Sequence, residues 1–516
     1  MASHLKELLD HFPVGTAEGE RQLLAKVYVK QDAFADLISA PSGSPRLLVG
    51  RKGTGKTAIL EYTSAVLQAS SVPYLSLKPL DLELPVPQSN TPIATLTRTA
   101  YRVIVESVAA SLGTQQTGLL SADEYLLYEQ AIEEGKVKRD LVGRTARLLS
   151  RLAKPVIKVD FSTLFPESRA TAEELRNAIA GNIADNGKAF FLFIDDTDTV
   201  ASPSSPDHLN HIWAFLLASR ELTQKVSGMR VVVTLRDEVW RRLIRDQAGQ
   251  RDQADHFLPL VRELIPTREH IRAVLDRRLA LAAVRCGVRA TSPYEVFFEG
   301  HDARMPQTEA RRSWEDLIVL RSRERPRDAI QLIQALATRA MQRGGSKISE
   351  ADFHVEMPQF SAQRVLLLAQ EVEAECPQIR EIIDSFAAIE YDYGSFKLTA
   401  DVLRSHLRSV PARFSTSLFG RTLQPDDDDA AFALWSFLYE LGIINARVAD
   451  MGEEDGFRHV QPRDDATLVS KARWGDMQGM AWEVNPAYRD FLILKQKEDA
   501  RRTGLPPKRP AGRHRF

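Results

Sequence analysis

The stretch "RLLVGRKGTGKTAIL", residues 46–60, decides how this chain is read. It begins with a short apolar run, passes through a glycine-rich turn and continues with helical spacing. Gly50-Arg51-Lys52-Gly53-Thr54-Gly55-Lys56-Thr57 satisfies every fixed position of G-x-x-x-x-G-K-[ST]. Glycines let a backbone curl closely around an anion, so that successive amides and the following helix N-terminus point at it. In this pattern Lys56 neutralises the β- and γ-phosphates and Thr57 holds Mg²⁺. Gly50, Gly53, Thr54, Gly55, Lys56, Thr57 and Ala58 are therefore the expected cradle, with ATP and Mg²⁺ as ligands. The alternative, a glycine turn that matches by accident, lacks the strand before and the helix after that this loop has.

Two further apolar runs end in charge. In Phe190-Phe191-Leu192-Phe193-Ile194-Asp195-Asp196, a strand buried on both faces would deliver two carboxylates beside the loop. Asp195 is assigned to the metal, and Asp196 to orienting or deprotonating the attacking water. Asp198 is a further acid, equally readable as a turn or helix-start cap. "MRVVVTLRDEVW" (229–240) closes on Thr234-Leu235-Arg236, where Arg236 would face charge that shifts during phosphoryl transfer. The plainer alternative pairs Arg236 with Asp237 or Glu238. "HFLPL" (256–260) reads as a shorter buried strand. Such strands alternating with helices predict a parallel α/β sheet with its functional ends at the strand C-termini. Downstream, Glu324-Arg325-Pro326-Arg327-Asp328 opens a helix. Arg327 could reach the phosphates from a closing lid and Pro326 could pack on the adenine; otherwise this is a proline helix start with solvated charges.

Composition bounds these readings. A 516-residue chain that is 44% hydrophobic and 27% charged, with net charge −1, suits a multidomain globular protein. That balance excludes a generally basic nucleic-acid coat but not a local basic patch. Cys286 and Cys376 stand far apart and offer neither a disulfide framework nor zinc spacing, which points to a reducing cytoplasm. Cys286 reads as a core thiol. No apolar run is long enough to span a bilayer and no targeting pattern opens the chain, so no membrane role is expected.

Five segments are expected: a helical lead-in (1–45), a P-loop ATPase domain (46–262) with a helical insertion at about 85–186, a helical lid (263–357), a winged-helix domain (358–495) and a basic disordered tail (496–516). Within the insertion, "SADEYLLYEQAIEEG" (121–135) and "RDLVGRTARLLSRL" (139–152) have plausible helix starts at Ser121 and Arg139-Asp140. "SFKL" (395–398), "ALWSFLYELGII" (433–444) and "MAWEV" (480–484) outline helices ending in a β-ribbon, with Trp435 and Phe437 as core.

In this order, the loop, "FIDD", the strand ending "TLR", the "RPRD" helix and the winged-helix outline resemble the STAND-class signal-transduction ATPases. These are relatives of the AAA+ and origin-recognition ATPases, and the resemblance covers roughly residues 25–495. It implies an ASCE-type P-loop NTPase sheet with a helical lid and a C-terminal winged helix. It carries Gly50 to Thr57 onto the phosphate loop, Asp195 and Asp196 onto the acidic pair, Arg236 onto the strand-four arginine and Arg327 onto the lid arginine. It also implies an ADP/ATP-controlled switch in a bacterial sensing or phage-defence system, as a homo-oligomer or in a hetero-complex with an effector. Where many such proteins have a winged-helix histidine that reads ADP, this chain offers Asn485. No recognisable repeat sensor follows, so the inserted helices or a partner would have to sense.

Two other uses compete. A DNA-associated loader of origin-recognition or transposition type would bind nucleic acid through the winged helix, with the basic tail contacting phosphates. Against it stands the acidic run Asp426 to Asp429, which suits a helix N-terminus but repels phosphates. A small-molecule kinase would share the loop but has little use for a winged helix. If ATP sits at a subunit interface, Arg241, Arg242, Arg245 and Arg251 are candidates for a trans-acting arginine, or simply a basic helix facing water.

Overall fold

Leu5 and Leu8 on the first helix, α1 (Ala2–His11), and Phe12 just beyond it are fully buried. Their spacing sets them on one helical face, and that face packs on helices from the second half of the chain. In this computed structural model the chain forms two compact units, residues 24–265 and residues 1–23 together with 266–516. The described residues are 2–13, 17–39, 43–79, 91–116, 120–137, 170–199, 208–245, 254–306, 310–391, 396–452, 456–462 and 464–503. The lead-in expected as one segment thus divides, because its first helix carries an apolar face matched elsewhere. No described helix is long and apolar enough to cross a membrane.

In the unit 24–265, α2 (Arg21–Val27) and α3 (Asp32–Ile38) precede β1 (Arg46–Val49), α4 (Lys56–Ala69) and β2 (Tyr74–Leu77). After α5 (Ile93–Gly113), α6 (Ala122–Glu133) and α7 (Ala172–Asn186) come β3 (Phe190–Ile194), α8 (His208–Lys225), β4 (Met229–Leu235), α9 (Asp237–Arg245) and β5 (Val261–Glu263). The strands are all parallel, in the order β2-β3-β4-β1-β5. Alternate residues face opposite sides, and both sides are apolar. Leu47, Val49, Phe190, Leu192, Ile194, Val231 and Val233 join one core with α5, α7 and α8; Leu48, Phe191, Phe193 and Val232 join the other with α3 and α4. This is the P-loop NTPase sheet that the sequence predicts, with a strand inserted between the loop strand and the carboxylate strand.

One strand falls elsewhere. Leu258-Pro259-Leu260 form a 3₁₀ turn, and the edge strand begins at Val261. Pro259 has no N–H to give to a ladder, so "HFLPL" could not supply the strand expected of it. The insertion is helical where described: α5 packs on α6, α7 and α8. Ser121 and Thr171 each close a capping box, with Glu124 and Glu174. The helix expected at 139–152 lies outside the described residues, as does the tail beyond 503.

The second unit continues with α10 (Arg268–Arg285), a hairpin of β6 (Asp302–Arg304) and β7 (Arg311–Ser313), α11 (Trp314–Arg321), α12 (Pro326–Gln342) and α13 (Glu350–Glu371). With α1 these helices enclose one core. The lid boundary expected at 357/358 falls inside α13, which runs through Pro358 without a break. Then come α14 (Ile379–Ser385), β8 (Lys397–Leu398), α15 (Ala400–Phe414), a hairpin of β9 (Ser417–Leu418) and β10 (Arg421–Thr422), α16 (Asp428–Glu440), β11 (Ile444–Ala449), β12 (Phe457–Val460), β13 (Ala481–Val484) and α17 (Pro486–Thr503). The antiparallel sheet β12-β11-β13-β8 beside α14, α15 and α16 has the winged-helix layout, centred on Trp435 and Trp482. The β9–β10 hairpin between α15 and α16 is an addition that the sequence reading does not include.

Candidate functional site

Because the strands of the first unit are parallel, their C-terminal ends share one edge. Val49, Leu77, Ile194 and Leu235 end there, which brings the glycine loop, Lys78, Asp195, Asp196 and Arg236 together. In the loop, Gly53 and Gly55 adopt φ of 84° and 105°. A Cβ on Gly50 would lie 2.8 Å from Thr54 Oγ1 and 2.9 Å from the carbonyl oxygen of Leu264. Only glycine fits at 50, and left-handed backbone favours glycine at 53 and 55. Gly55 caps α4 without a side-chain hydrogen bond, so the first-turn amides are left for an anion. These features fit a phosphate group.

Lys56 Nζ donates to the carbonyls of Gly50 (2.6 Å) and Arg51 (3.2 Å). Burial pulls its pKa below the usual lysine value, while Glu238, Asp198 and Asp195 pull the other way. The Thr57 hydroxyl donates to Asp195 Oδ2 at 2.9 Å. Asp195 is buried, and its other oxygen accepts from Thr234 Oγ1 at 2.5 Å and from the Asp196 amide at 3.0 Å. A hydroxyl and a carboxylate oxygen this close, beside a phosphate cradle, are a donor pair suited to Mg²⁺.

Asp196 stands apart from its neighbour. Its backbone is left-handed, φ 54°, a conformation that Asp tolerates better than most residues. Its half-exposed carboxylate lies 3.2 Å from Lys78 Nζ, at the end of β2. Asp198 is buried and receives Arg236 Nε at 2.8 Å. Burial raises the Asp198 pKa, against the opposing pull of Arg236. Arg236 thus has a different partner from the two anticipated; Asp237 pairs instead with Arg241 at 2.8 Å and lies 3.8 Å from Arg51. Arg241 is therefore engaged within its own helix. Arg242 is half-buried, while the Arg245 side chain and Arg251 lie outside what is described.

The sequence reading passes over Lys78 and assigns Thr234 no specific partner. A cation directly after "YLSL" and a hydroxyl two residues before the strand-end arginine are the available signals, but neither names its partner without the strand order.

In the second unit, Pro326 takes the first position of α12, and Arg327, half-buried, the second. The charges around them are not solvated as the plainer reading expects. Asp328 is buried between Arg323 Nε and Arg364 Nη1, each at 2.6 Å, and Arg325 pairs with Glu371 at 3.0 Å. Asn485 is spent on the fold: it donates to the Gly442 carbonyl at 2.9 Å and accepts from the Ala487 amide at 3.0 Å. Asp427 caps α16 by accepting from the amides of Asp429 and Ala430. Among the described residues no cluster of His, Cys, Asp and Glu forms a ready metal cage.

Residues 269–369 match the family model of the FunZ-associated C-terminal helical domain. The putative transposon gamma-delta 80.3 kDa protein of Escherichia coli (strain K12) is 22% identical over 386 residues, 73% of this chain and 53% of that protein. The chain therefore spans about half the length of that relative. Among solved structures, the Aeropyrum pernix ORC2 protein aligns over 94% of both chains at 13% identity and a TM-score of 0.40. Cdc6p from Pyrobaculum aerophilum aligns over 95% of this chain and 98% of its own, with 13% identity and a TM-score of 0.36. A Walker-type ATPase of Pyrococcus abyssi covers 85% of this chain and 95% of its own, with 11% identity and a TM-score of 0.38.

Proposed function

We propose that this chain binds ATP with Mg²⁺, hydrolyses it to ADP and phosphate, and uses the cycle to act at DNA in a transposon-type system. The observation that carries the ATPase reading is the 2.9 Å contact between Thr57 and Asp195 beside the glycine loop. Thr57 and Asp195 would hold Mg²⁺, which when bound supplies positive charge to the phosphate oxygens. Lys56 exchanges the carbonyls of Gly50 and Arg51 for phosphate oxygens. Thr234 keeps the Asp195 carboxylate turned toward Thr57. Asp196 orients the attacking water and takes its proton, with Lys78 Nζ 3.2 Å away to position its carboxylate. Arg236, held by Asp198, is placed to answer charge at the transferred phosphate. An oligomer or a partner subunit would complete the machine.

For the use of the cycle, the transposon name carried by the E. coli relative supports the DNA-associated alternative. The sensing and phage-defence reading has no comparable support.

The test is phosphate release from ATP without any added acceptor, measured with and without duplex DNA. Release that is lost in Lys56→Ala and raised by DNA is the expected result. Nucleotide binding without release would sink the ATPase reading. Release that duplex DNA leaves unchanged, with no DNA binding at low salt, would sink the DNA reading alone.

A further inference from the structure

Resting on the reading that this chain works at DNA, we propose that the β9–β10 hairpin is its duplex-contacting element. Phe419 at the hairpin tip wedges against a base step, and Arg413 and Arg421 take flanking phosphates.

The elements that would ordinarily meet DNA in a winged helix are unsuited to it here. α16 occupies the place of a recognition helix, yet its sequence, "DDAAFALWSFLYE", contains no cation and most of it is buried. The segment joining β11 to β12 carries Asp450, Glu453, Glu454 and Asp455. Both would repel phosphates. By contrast, "HLRSVPARFSTSLFGRTLQ" (406–424) contains no Asp or Glu. In the acidic run that follows, two carboxylates are paired from within, Asp428 with Arg404 and Arg408, and Asp429 with Lys471, and Asp427 is spent on capping α16. Arg413 and Arg421 are exposed, and among the described residues neither has an acidic partner.

The tip itself points to a contact. Phe419 and Gly420 form a two-residue turn with φ of 49° and 75°. Such a turn favours Asn-Gly or Asp-Gly, and a bulky aromatic residue at positive φ is an outlier. Turn chemistry therefore did not select Phe419. Its ring meets Phe437 edge-on at 5.5 Å between centroids, yet the residue is 51% exposed. The hairpin is pinned beneath: the Phe419 amide donates to the Glu375 carbonyl at 2.8 Å, the Ser417 amide to Gln378 Oε1 at 3.0 Å, and Leu418 is buried. A backbone-pinned, half-exposed aromatic ring with Arg413 and Arg421 on either side of it in sequence has the chemistry that unstacks a base step while cations hold the backbone.

The experiment uses the full chain and a fluorescent duplex, with anisotropy read across a salt series. A second duplex carries 2-aminopurine, which brightens on unstacking. Phe419→Asn suits the left-handed turn, so it should fold and release phosphate at the wild-type rate without DNA. It should bind duplex about tenfold more weakly with an unchanged salt slope, and give no 2-aminopurine rise. Arg421→Ala should lower the salt slope by about one, and Phe419→Trp should keep the fluorescence rise. If the wild type binds duplex and Phe419→Asn and Arg421→Ala match it in affinity, slope and fluorescence, the hairpin is not the contact and the DNA reading survives. If the wild type binds no duplex at low salt, both fall while the ATPase reading is untouched.

Discussion

Adjacent carboxylates at the end of β3 have opposite environments. Asp195 is buried and hydrogen-bonded on both oxygens, whereas Asp196 turns out toward Lys78. Removing them should therefore have different consequences. Lys56→Ala should abolish nucleotide binding or turnover, as read by equilibrium binding and phosphate release. Asp196→Ala should still bind ATP but lose at least about 100-fold in turnover; retained turnover would transfer the water-positioning role to Asp198 or another group. At the other charged centre, burial alone would raise the Asp328 pKa, but Arg323 and Arg364 hold it below the usual carboxylate range. Asp328→Ala strands two buried guanidinium groups and should cost about 3–5 kcal/mol in denaturant unfolding. "FIDD" and "GKT" were legible as candidate site residues because their pattern is local to the chain, and the structure brings them to one sheet edge. The partners Thr234 for Asp195, Lys78 for Asp196 and Asp198 for Arg236 were not, since each crosses between strands.

Elements follow their patterns except where one residue type interferes. Continuous apolar runs became strands buried on both faces, but Pro259 moved the edge strand to Val261. Pro358 did the opposite of what a proline suggests, lying inside the 22-residue helix α13. Its ring removes a backbone donor and crowds the preceding turn, and packing of Phe353, Met357, Phe360 and Val365 holds the helix together around it. Pro358→Ala should therefore stabilise the protein, by about 1–2 kcal/mol, visible as a higher Tm. The acidic start of α16 was legible as a cap, and Asp427 is the residue that caps. The Arg404 and Arg408 partners of Asp428 were hidden, because they come from α15.

At the scale of the whole molecule, charges nearly balance, with a net of −1, so pH dependence near neutrality falls to individual buried groups. His406 on α15 is the clearest. Burial, then Arg413, pull its pKa down to about 4. Its Nε2 lies 2.8 Å from the Ser385 hydroxyl, which donates to the Ile382 carbonyl, so the neutral ring donates to Ser385. The unfolded chain takes this proton near pH 6.5 while the folded chain refuses it until about 4. Stability should be full above about pH 6.5 and fall as pH drops toward 4. Equilibrium unfolding across that range should show the slope, and His406→Gln should flatten it; an identical slope in the variant would remove His406 as its cause. The sequence by itself determined the glycine loop, the strand-end carboxylates, the parallel sheet and the winged-helix outline. Each of these is written in contiguous residues, through glycine freedom, apolar periodicity and strand-end charge. Only the tertiary structure decided that β4 lies between β1 and β3, which gives Asp195 its Thr234 partner. It also decided that α1 joins the second unit and that Arg325 and Asp328 of "RPRD" are buried in ion pairs. Those outcomes depend on which apolar faces and charges meet across tens to hundreds of residues, and no local pattern records that.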